Sequence, residues 1–554
     1  MRALVAGVVQ RIDPVSTSGA LSGTLFFACS LTPSLLPRPL VFQAVVSGLS
    51  LAVGYMLGVV GRWLWWYLEL PLPGAGTKRN VIKVTSAMGA IVAMLFLWQA
   101  SEWQNSVRRL MGMEDVSGIR PVSVALLALL VFGALLFLAR LFRRTFKVLS
   151  GRLDRVLPRR VSNLLGILAA MVLFWGIIDR VFIAWALRLA DSVSQQVDAT
   201  IPPDMARPED PARSGSAESL IDWQDLGHEG RVFVSSGPTA KDVATFHGED
   251  TPTPIRVYVG LNAAATPEAR ARLALRELER VGAFERHVLL LVTPTGTGWV
   301  DPAALDTVEY LHRGDIASVA MQYSYLPSLL ALPTEGAYGA ENARALFQTV
   351  YGYWTGLPKD TRPELYLYGV SLGALNSDLS FDIHDIIGDP FHGALWTGPP
   401  FRSEHWSSIT ASRQPDSPAW RPRFRNGTVV RFMNQQGGLK QGDATWGPFR
   451  IAYLQYASDP MTFFSLQSIY REPAWMREPR GPDVSPSLRW FPVVTAVQFV
   501  ADMAVASTPP PGYGHNFAAE HYMDAWLALM EPQGWTDEKS ARLKALYRRE
   551  GRRD

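Results

Sequence analysis

The chain has 554 residues, 48% of them apolar, which is enough for two or more units that each bury a core. Its formal net charge of +3 is small, and no block of Lys and Arg is interleaved with aromatic residues. These features exclude a nucleic-acid-binding protein. The single cysteine, Cys29, excludes an intrachain disulfide and a Cys-based metal site, and we expect no metal or other cofactor.

The composition changes near residue 190. Nearly all long apolar runs precede it, and all nine histidines follow it. This asymmetry predicts a helical membrane domain over residues 1–190, joined to a soluble part that carries a site. Residues 191–230 contain four prolines among Asp, Glu, Ser and Gly, without apolar periodicity, so we predict a linker there.

Five membrane spans are predicted from apolar length. Four stretches are long enough, namely residues 41–61, 81–99, 121–139 and a run beginning near Val161. A weaker first span covers residues 19–36, where Thr32-Pro33-Ser34 would break or end the helix early, so a re-entrant segment is the alternative. Because further apolar spans follow, we expect this segment to be retained rather than cleaved as a signal peptide.

The orientation follows from the loop between the fourth and fifth spans. This loop contains a single acid, Asp154, among eight basic residues: Arg140, Arg143, Arg144, Lys147, Arg152, Arg155, Arg159 and Arg160. Positively charged loops remain in the cytoplasm. One more span therefore predicts that the soluble part is extracytoplasmic, although Arg108, Arg109 and Arg120 in the preceding outer loop are a mild counter-signal.

Residues 231–554 alternate short β-branched runs with longer amphipathic ones, which predicts a mostly parallel sheet with helices on both faces. We predict helices over residues 267–281 and 340–353. The predicted strands are residues 231–235, 256–260, 287–292, 317–323, 364–368, 393–397, 428–433 and 451–456.

The run Gly369-Val370-Ser371-Leu372-Gly373 is a G-x-S-x-G pattern, which alone is weak because common residues produce it by chance. Here a strand-like run leads directly into it and a helix-compatible segment follows. Strand, sharp turn and helix form a nucleophile elbow, in which glycines are needed where the two elements come close. The pattern therefore predicts that Ser371 is the nucleophile of an α/β-hydrolase domain.

A serine hydroxyl needs a base and an orienting acid, which in this fold follow it in the order acid, then histidine. His515 lies in a glycine-rich loop before a helical run, whereas the alternative, His521, lies inside that run, so we favour His515. For the acid we favour Asp459, which follows a predicted strand. Asp502 is the alternative, although a helix over residues 494–506 would make it a surface charge.

The oxyanion hole is expected to use the backbone N–H of Leu372 and a second N–H from the loop after strand 287–292. Gly296, Thr297 and Gly298 are the candidates for this second donor, with a simple turn as the alternative reading of the two glycines. Trp299 is predicted to line the substrate pocket, and residues 398–427 are the candidate for a lid.

With these motifs in hand, the chain resembles a bacterial family of membrane-anchored α/β-hydrolases with a multi-spanning N-terminal domain. Six runs carry the resemblance: Thr32-Pro33-Ser34-Leu35-Leu36-Pro37-Arg38, Pro294-Thr295-Gly296-Thr297-Gly298-Trp299, Gln322-Tyr323-Ser324-Tyr325-Leu326-Pro327, the elbow, Tyr453-Leu454-Gln455 with Ser458-Asp459-Pro460, and Gly512-Tyr513-Gly514-His515. The resemblance implies a multi-pass protein of the bacterial cell membrane and a serine hydrolase, and it supplies no substrate.

The leading functional hypothesis is a hydrolase of an ester or of a lipid or cell-envelope acyl substrate, acting through Ser371, His515 and Asp459. The expected partners are the lipid bilayer and a small amphiphilic substrate, and the sequence does not determine the oligomeric state. Two alternatives remain open. One is an envelope acyltransferase with the same triad, and the other is a membrane scaffold that has lost activity.

Overall fold

The computed structural model describes residues 16–71, 75–116, 121–176, 198, 205–326, 336–440, 444–477 and 479–550. The chain divides into two compact units. The first comprises Met1–Ile183 with Phe464–Arg477 and Asp483–Val505, and the second comprises Ala184–Phe463 with Glu478–Pro482 and Ala506–Asp554. Within the predicted catalytic domain over residues 231–554, most of residues 464–505 group with the first unit, and the bounds of that domain stay a prediction.

The described helices, in chain order, are α1 (Thr17–Ser30), α2 (Leu40–Tyr67), α3 (Ala75–Leu110), α4 (Pro121–Leu153), α5 (Arg159–Gly176), α6 (Gly227–Ser235), α7 (Ala240–His247), α8 (Pro267–Arg280), α9 (Pro302–Leu311), α10 (Gly336–Thr355), α11 (Leu372–Asp378), α12 (Ile383–Ile386), α13 (Glu404–Ala411), α14 (Pro460–Phe463), α15 (Val494–Met503), α16 (Ala519–Met530) and α17 (Asp537–Glu550). The described strands are β1 (Ile255–Val259), β2 (Val288–Thr293), β3 (Ile316–Met321), β4 (Glu364–Val370), β5 (Gly393–Thr397), β6 (Val430–Met433) and β7 (Arg450–Leu454).

Three helices of the first unit are long and apolar enough to cross a membrane among the residues searched: Leu40–Tyr67, Arg79–Leu110 and Pro121–Leu153. They coincide with the second, third and fourth predicted spans. The described start of the fifth predicted span is α5, with 18 residues, and the rest of that stretch lies outside the described residues.

The first predicted span is shorter than expected. Helix α1 has 14 residues and ends at Ser30, three residues before Pro33. At 1.5 Å per residue it is about 21 Å long, less than the roughly 30 Å of a bilayer core. It packs tightly on α2, since a Cβ at Gly23 would lie 2.9 Å from the Leu51 carbonyl oxygen and one at Gly58 would lie 2.4 Å from that of Ser18. Glycines thus allow the two backbones to approach closely.

A buried ion pair holds the first unit together. Arg38, which follows α1, places Nε 2.9 Å from Asp502 Oδ1 on α15, and both side chains are fully buried. Ser34 Oγ and the Leu35 N–H also donate to the Asp502 carboxylate, at 2.9 Å and 3.1 Å. The expectation that Asp502 is a surface charge was therefore wrong, because α15 turns this carboxylate toward the first unit's own arginine.

The second unit contains one seven-stranded sheet in the order β1-β3-β2-β4-β5-β7-β6. All paired strands are parallel. Every residue of β1, β2, β3, β5 and β6 is buried, as expected for a sheet covered by helices. The predicted α/β-hydrolase fold class is thus confirmed, and seven of the eight predicted strands coincide with observed strands within a few residues.

The prediction of the remaining strand, residues 231–235, was wrong, because these residues form the end of helix α6. Buried side chains and glycines recur along α6 at Gly227, Gly230, Arg231 and Val234, which is helical spacing. A Cβ at Gly230 would lie 2.4 Å from the Tyr258 ring, so this helix lies directly against β1. Packing on the sheet has overridden the β propensity of a short run.

The predicted linker also needs correction. Residues 205–230 belong to the second unit, and Arg213 lies beside β1 with its guanidinium donating to the Val234 and Ser236 carbonyls, at 2.5 Å and 2.9 Å. The Arg213 side chain of this segment is thus paired with backbone carbonyls of the unit. Apart from Asp198, residues 191–204 lie outside the described part of the chain.

We predict that removing either partner of the Arg38–Asp502 pair destabilises the first unit by about 3 to 5 kcal/mol, because the other charge is left buried and uncompensated. Arg38→Met and Asp502→Leu should each lower the melting temperature in detergent, measured by intrinsic fluorescence. The double variant should melt above both single variants.

The exposed pair of Arg109 and Asp115 is the matched control in the same unit. Arg109→Met should leave the melting temperature nearly unchanged, because water screens this pair. If the double variant melted no higher than the worse single variant, the charge pairing would not be the source of the effect.

Candidate functional site

Ser371 lies at a sharp turn between β4 and α11. Its φ of 56° and ψ of −124° are strained for a residue with a side chain, and its N–H donates to the Thr397 carbonyl at 2.9 Å. A Cβ at Gly369 would lie 2.3 Å from the Gly373 carbonyl oxygen, and one at Gly373 would lie 2.1 Å from that of Thr293. Both glycines are therefore required by the close approach of strand, helix and neighbouring loop, as in a nucleophile elbow.

A largely buried histidine and a fully buried aspartate face each other near the elbow. His515 Nδ1 lies 2.7 Å from Asp459 Oδ2, and the Asp459 side chain is fully buried. The carboxylate also accepts from the Met461 N–H at 2.8 Å and from the Thr462 hydroxyl at 3.0 Å. These bonds hold Asp459 as an acceptor, so His515 carries its proton on Nδ1 and presents a lone pair on Nε2.

The imidazole and the elbow meet at Gly398. This residue follows Thr397, whose carbonyl accepts the Ser371 N–H, and a Cβ added to it would lie 2.7 Å from His515 Cε1. His515 Nε2 is buried and has no hydrogen-bond partner among the described residues. The structure thus places Ser371, Gly398 and Asp459 after the carboxyl ends of β4, β5 and β7, with the His515 ring against Gly398. The proton transfer between Ser371 and His515 stays a prediction.

The loop that carries His515 is held in place by its backbone. The His515 N–H donates to the Ala506 carbonyl at 2.8 Å, and the Gly514 N–H donates to the Ser458 hydroxyl at 2.9 Å. Gly512 and Gly514 have φ values of 98° and 59°, which glycine adopts without strain. The ring is therefore oriented before any ligand binds.

The alternative base and acid lie elsewhere. His521 lies on α16 with Nδ1 2.6 Å from the Tyr456 hydroxyl, and burial lowers the pKa of its imidazole. Asp502 belongs to the first unit, where it pairs with Arg38. Neither residue competes with His515 and Asp459 for the interaction described above.

The loop after β2 lies against the elbow, as the close approach of Gly373 to Thr293 shows. Leu372 is the first residue of α11, so its N–H has no acceptor within the helix and is available to a ligand. The Gly298 N–H, by contrast, donates to the Thr295 carbonyl at 3.0 Å and closes a turn. Gly298 was therefore a wrong candidate for the second oxyanion donor, and Gly296 and Thr297 remain predictions.

Two buried side chains that were not among the predicted site residues donate hydrogen bonds to this loop. The Tyr258 hydroxyl donates to the Gly298 carbonyl at 2.8 Å, and Gln322 Nε2 donates to the Thr297 carbonyl at 3.1 Å. Gln322 lies in one of the runs that carry the family resemblance, and that was the one sequence signal for it. Both side chains position the loop without reaching the elbow themselves.

Trp299 is 37% exposed and lines a small pocket with Glu229, Val232 and Leu305. Neither Ser371 nor His515 is among the described residues that line this pocket. The role of Trp299 in binding substrate therefore stays a prediction.

Two further carboxyl groups of the second unit have shifted pKa values. Burial raises the pKa of Asp301 to about 6, and its Oδ2 accepts the Tyr522 hydroxyl at 2.8 Å. The Tyr368 hydroxyl on β4 in turn donates to the Tyr522 oxygen at 3.2 Å, so a buried chain of bonds joins the strand before Ser371 to the helix after His515. Burial, with the negative charge of Asp198, raises the pKa of Glu229 to about 7.

A parallel sheet of this order with an elbow and an Asp–His pair at its carboxyl edge defines an α/β-hydrolase fold and a hydrolase-type function. Comparison with known families agrees. A model described as "Alpha/beta-hydrolase family" matches residues 255–543, more than half of the chain, and one described as "Alpha/beta-hydrolase family N-terminus" matches residues 31–238. The chain therefore belongs to this alpha/beta-hydrolase family. Searches of curated proteins and of solved structures found no match.

We predict a pH-dependent stability at Glu229. Its pKa of about 7 in the folded chain exceeds the ordinary 4.5, so the folded state keeps a proton that the unfolded state loses between these values. The Glu229 contribution to the free energy of unfolding therefore falls as pH rises from about 4.5 to about 7. Glu229→Gln has no carboxyl group to ionise, so its free energy of unfolding at pH 8 should exceed that of the wild type by about 1 to 3 kcal/mol.

Melting temperatures at pH 5 and pH 8 measure the effect. The exposed Glu285→Gln is the control, and it should change little between the two pH values. A gain by Glu229→Gln that was equal at both pH values would contradict the assignment.

Proposed function

We propose that the protein is a membrane-anchored serine hydrolase that cleaves an ester or a lipid or cell-envelope acyl substrate through an acyl-enzyme. The observation that carries the proposal is the His515–Asp459 pair, whose ring has an unpartnered Nε2 and lies against Gly398, next to the Thr397 carbonyl that accepts the N–H of the strained Ser371. Ser371 Oγ attacks the acyl carbonyl while His515 Nε2 takes its proton, and Asp459 stabilises the imidazolium. His515 then protonates the leaving group, and water repeats the sequence on the acyl-enzyme.

The oxyanion formed by the attack needs donors aimed at its oxygen. The Leu372 N–H is the first, and an N–H of Gly296 or Thr297 is the proposed second. The loop that carries this second donor is fixed by Tyr258 and Gln322, so little reorganisation is needed during the reaction.

An acyl substrate suits the surroundings of the nucleophile. Leu326, Leu372 and Leu375 form a buried apolar cluster, against which Leu379 and Phe401 pack. Leu372 directly follows Ser371, so apolar side chains border the elbow. Together with three helices that are compatible with a membrane protein, this supports an amphiphilic substrate.

The same triad could also serve an acyltransferase, in which a hydroxyl of the cell envelope replaces water as the acceptor of the acyl group. With an acyl ester as substrate we expect the free acid as the main product. Transfer to an added alcohol would favour the acyltransferase instead.

We also propose a multi-pass protein of the bacterial cell membrane with its catalytic part outside the cytoplasm. Within the first unit, the Ser106 hydroxyl on α3 lies 3.2 Å from that of Ser485, so both residues share one side. Helix α4 runs from the far side of that connection and carries five of the eight basic residues toward its C-terminal end, which the charge rule assigns to the cytoplasm. This supports an outer position for the segment that continues into the His515 loop.

We predict that a fluorophosphonate probe labels the wild type and not Ser371→Ala, because only the activated serine reacts. His515→Ala and Asp459→Asn should slow the labelling by roughly 10³ to 10⁴, through loss of the base and of its orientation. A folded wild type that did not label would instead support the inactive scaffold.

Gly398→Ala tests the geometry. A Cβ there would lie 2.7 Å from His515 Cε1 and 2.7 Å from Phe517 Cζ, and Gly398 has a φ of 52°, so we expect labelling slowed by roughly 100-fold together with a lower melting temperature. Gly248→Ala is the matched control, since Gly248 also has a positive φ, 75°, and a Cβ there meets nothing within 4 Å. Equal labelling of both variants would count against the proposed place of the base.

We predict that a periplasmic reporter fused after residue 200 is active, and that one fused after residue 155 in the basic loop is inactive. Reporter activity in intact cells is the measurement. The reverse pattern would overturn the proposed orientation.

A further inference from the structure

A cavity of about 490 Å³ lies in the second unit, outside the site described above. Its walls come from the chain between α13 and the end of β6, with Gly438 from the following loop. Four arginines and one acidic residue line it, so three positive charges are uncompensated within the lining. We call this cavity the arginine pocket, and its charged residues are Arg421, Arg423, Arg425, Arg431 and Asp416.

The four arginines have different roles. Arg423 pairs with Asp416. Arg431 is buried and donates to the carbonyls of Gly427, Leu439 and Ala444 at 2.6 to 2.7 Å, so it forms part of the wall. Burial and the positive charge of Arg450 lower the pKa of Arg431, which agrees with a local excess of positive charge.

Arg421 and Arg425 are the two arginines that can bind a ligand. Neither forms an ion pair with any carboxylate of the described chain. Arg421 has a long contact of 3.5 Å to Asn434 Oδ1, and its guanidinium lies 5.3 Å from the Trp420 ring centroid. Arg425 lies 5.4 Å from the Phe424 ring centroid and is exposed. Their charges therefore face the cavity region without a protein counter-ion.

The loop that carries these arginines is pre-formed. Gln414 donates its N–H to the Arg423 carbonyl at 2.7 Å and its side-chain amide to the Arg425 carbonyl at 2.6 Å. The Ser417 hydroxyl accepts the Arg423 N–H at 3.0 Å and donates to the Gln414 carbonyl at 2.8 Å. Arg425 is held at a φ of 48°, a strained conformation that is typical of functional sites.

The chemistry of the lining selects an anion. Planar guanidinium groups bind phosphate oxygens through paired hydrogen bonds, and a phosphate with three free oxygens can engage both unpaired arginines. The volume lies within the roughly 300 to 1,000 Å³ of small-molecule sites. Pro418, Pro422 and Phe424 add an apolar wall that suits an organic group attached to the phosphate.

The pocket borders the loop that leads toward the proposed active site. Gln435, in the same loop as Gly438, donates its side-chain amide to the Gly512 carbonyl at 3.0 Å, three residues before His515. We propose that the arginine pocket binds a phosphate group, carried by a small soluble molecule or by a lipid headgroup. This inference does not depend on Ser371 being a nucleophile.

Binding is tested on full-length protein carrying Ser371→Ala, in a maltoside detergent that contains no phosphate. This background keeps the result separate from the catalytic proposal. Calorimetric titration with inorganic phosphate and with glycerol phosphate should show saturable binding. Arg421→Gln with Arg425→Gln should weaken it at least tenfold.

Arg272→Gln with Arg276→Gln is the matched control, because these exposed arginines on α8 are also four residues apart. It should bind phosphate as the parent does. Absence of saturable binding, or equal weakening by both double variants, would overturn the proposal.

A second measurement needs no pocket variant. Phosphate should protect Arg421 and Arg425, but not Arg272 and Arg276, from modification by phenylglyoxal, as mapped by mass spectrometry. Protection in phosphatidylglycerol nanodiscs without added phosphate would identify a lipid headgroup, whereas protection only by soluble phosphate would identify a small molecule. If neither condition protected the two arginines, the pocket would not be a phosphate site.

Discussion

The hydrogen bond between His515 Nδ1 and the buried Asp459 carboxylate is the constraint on which the rest of the site depends. A buried carboxylate is costly unless its oxygens are paired, and here a histidine, a backbone N–H and a threonine hydroxyl pair with them. These bonds fix the ring and leave Nε2 pointing away from the acid. The absence of a side chain at Gly398 then lets the ring lie against the backbone that follows Thr397, whose carbonyl accepts the Ser371 N–H.

Acid and base are close in space, but most of the chain between them belongs to the first unit. The Arg38–Asp502 pair anchors that intervening segment, four residues before Ala506, whose carbonyl accepts the His515 N–H. The proline-rich run near the start of the chain thus supplies the partners of Asp502, a buried aspartate near its end.

Local patterns predicted much of the fold and the site. Alternation and apolar runs identified seven strands, and the strand before the serine, with glycines on both sides, identified the elbow. Errors arose where a short pattern was read without its surroundings. Residues 231–235 have β-branched character but pack on Tyr258 as a helix, and Gly298 has a permissive backbone whose N–H is already used in a turn. Neither fact is visible without the neighbouring elements.

The sequence by itself determined the two kinds of unit, the sheet and the residue types of the proposed triad, because these depend on hydrophobic length, periodicity and short motifs. Only the tertiary structure decided which histidine meets which aspartate, that Asp502 pairs with Arg38, and that arginines from one irregular loop surround a cavity. Such pairings join residues far apart in the chain or depend on the course of a loop. They are decided by burial and by the need to pair every buried charge, which no local pattern records.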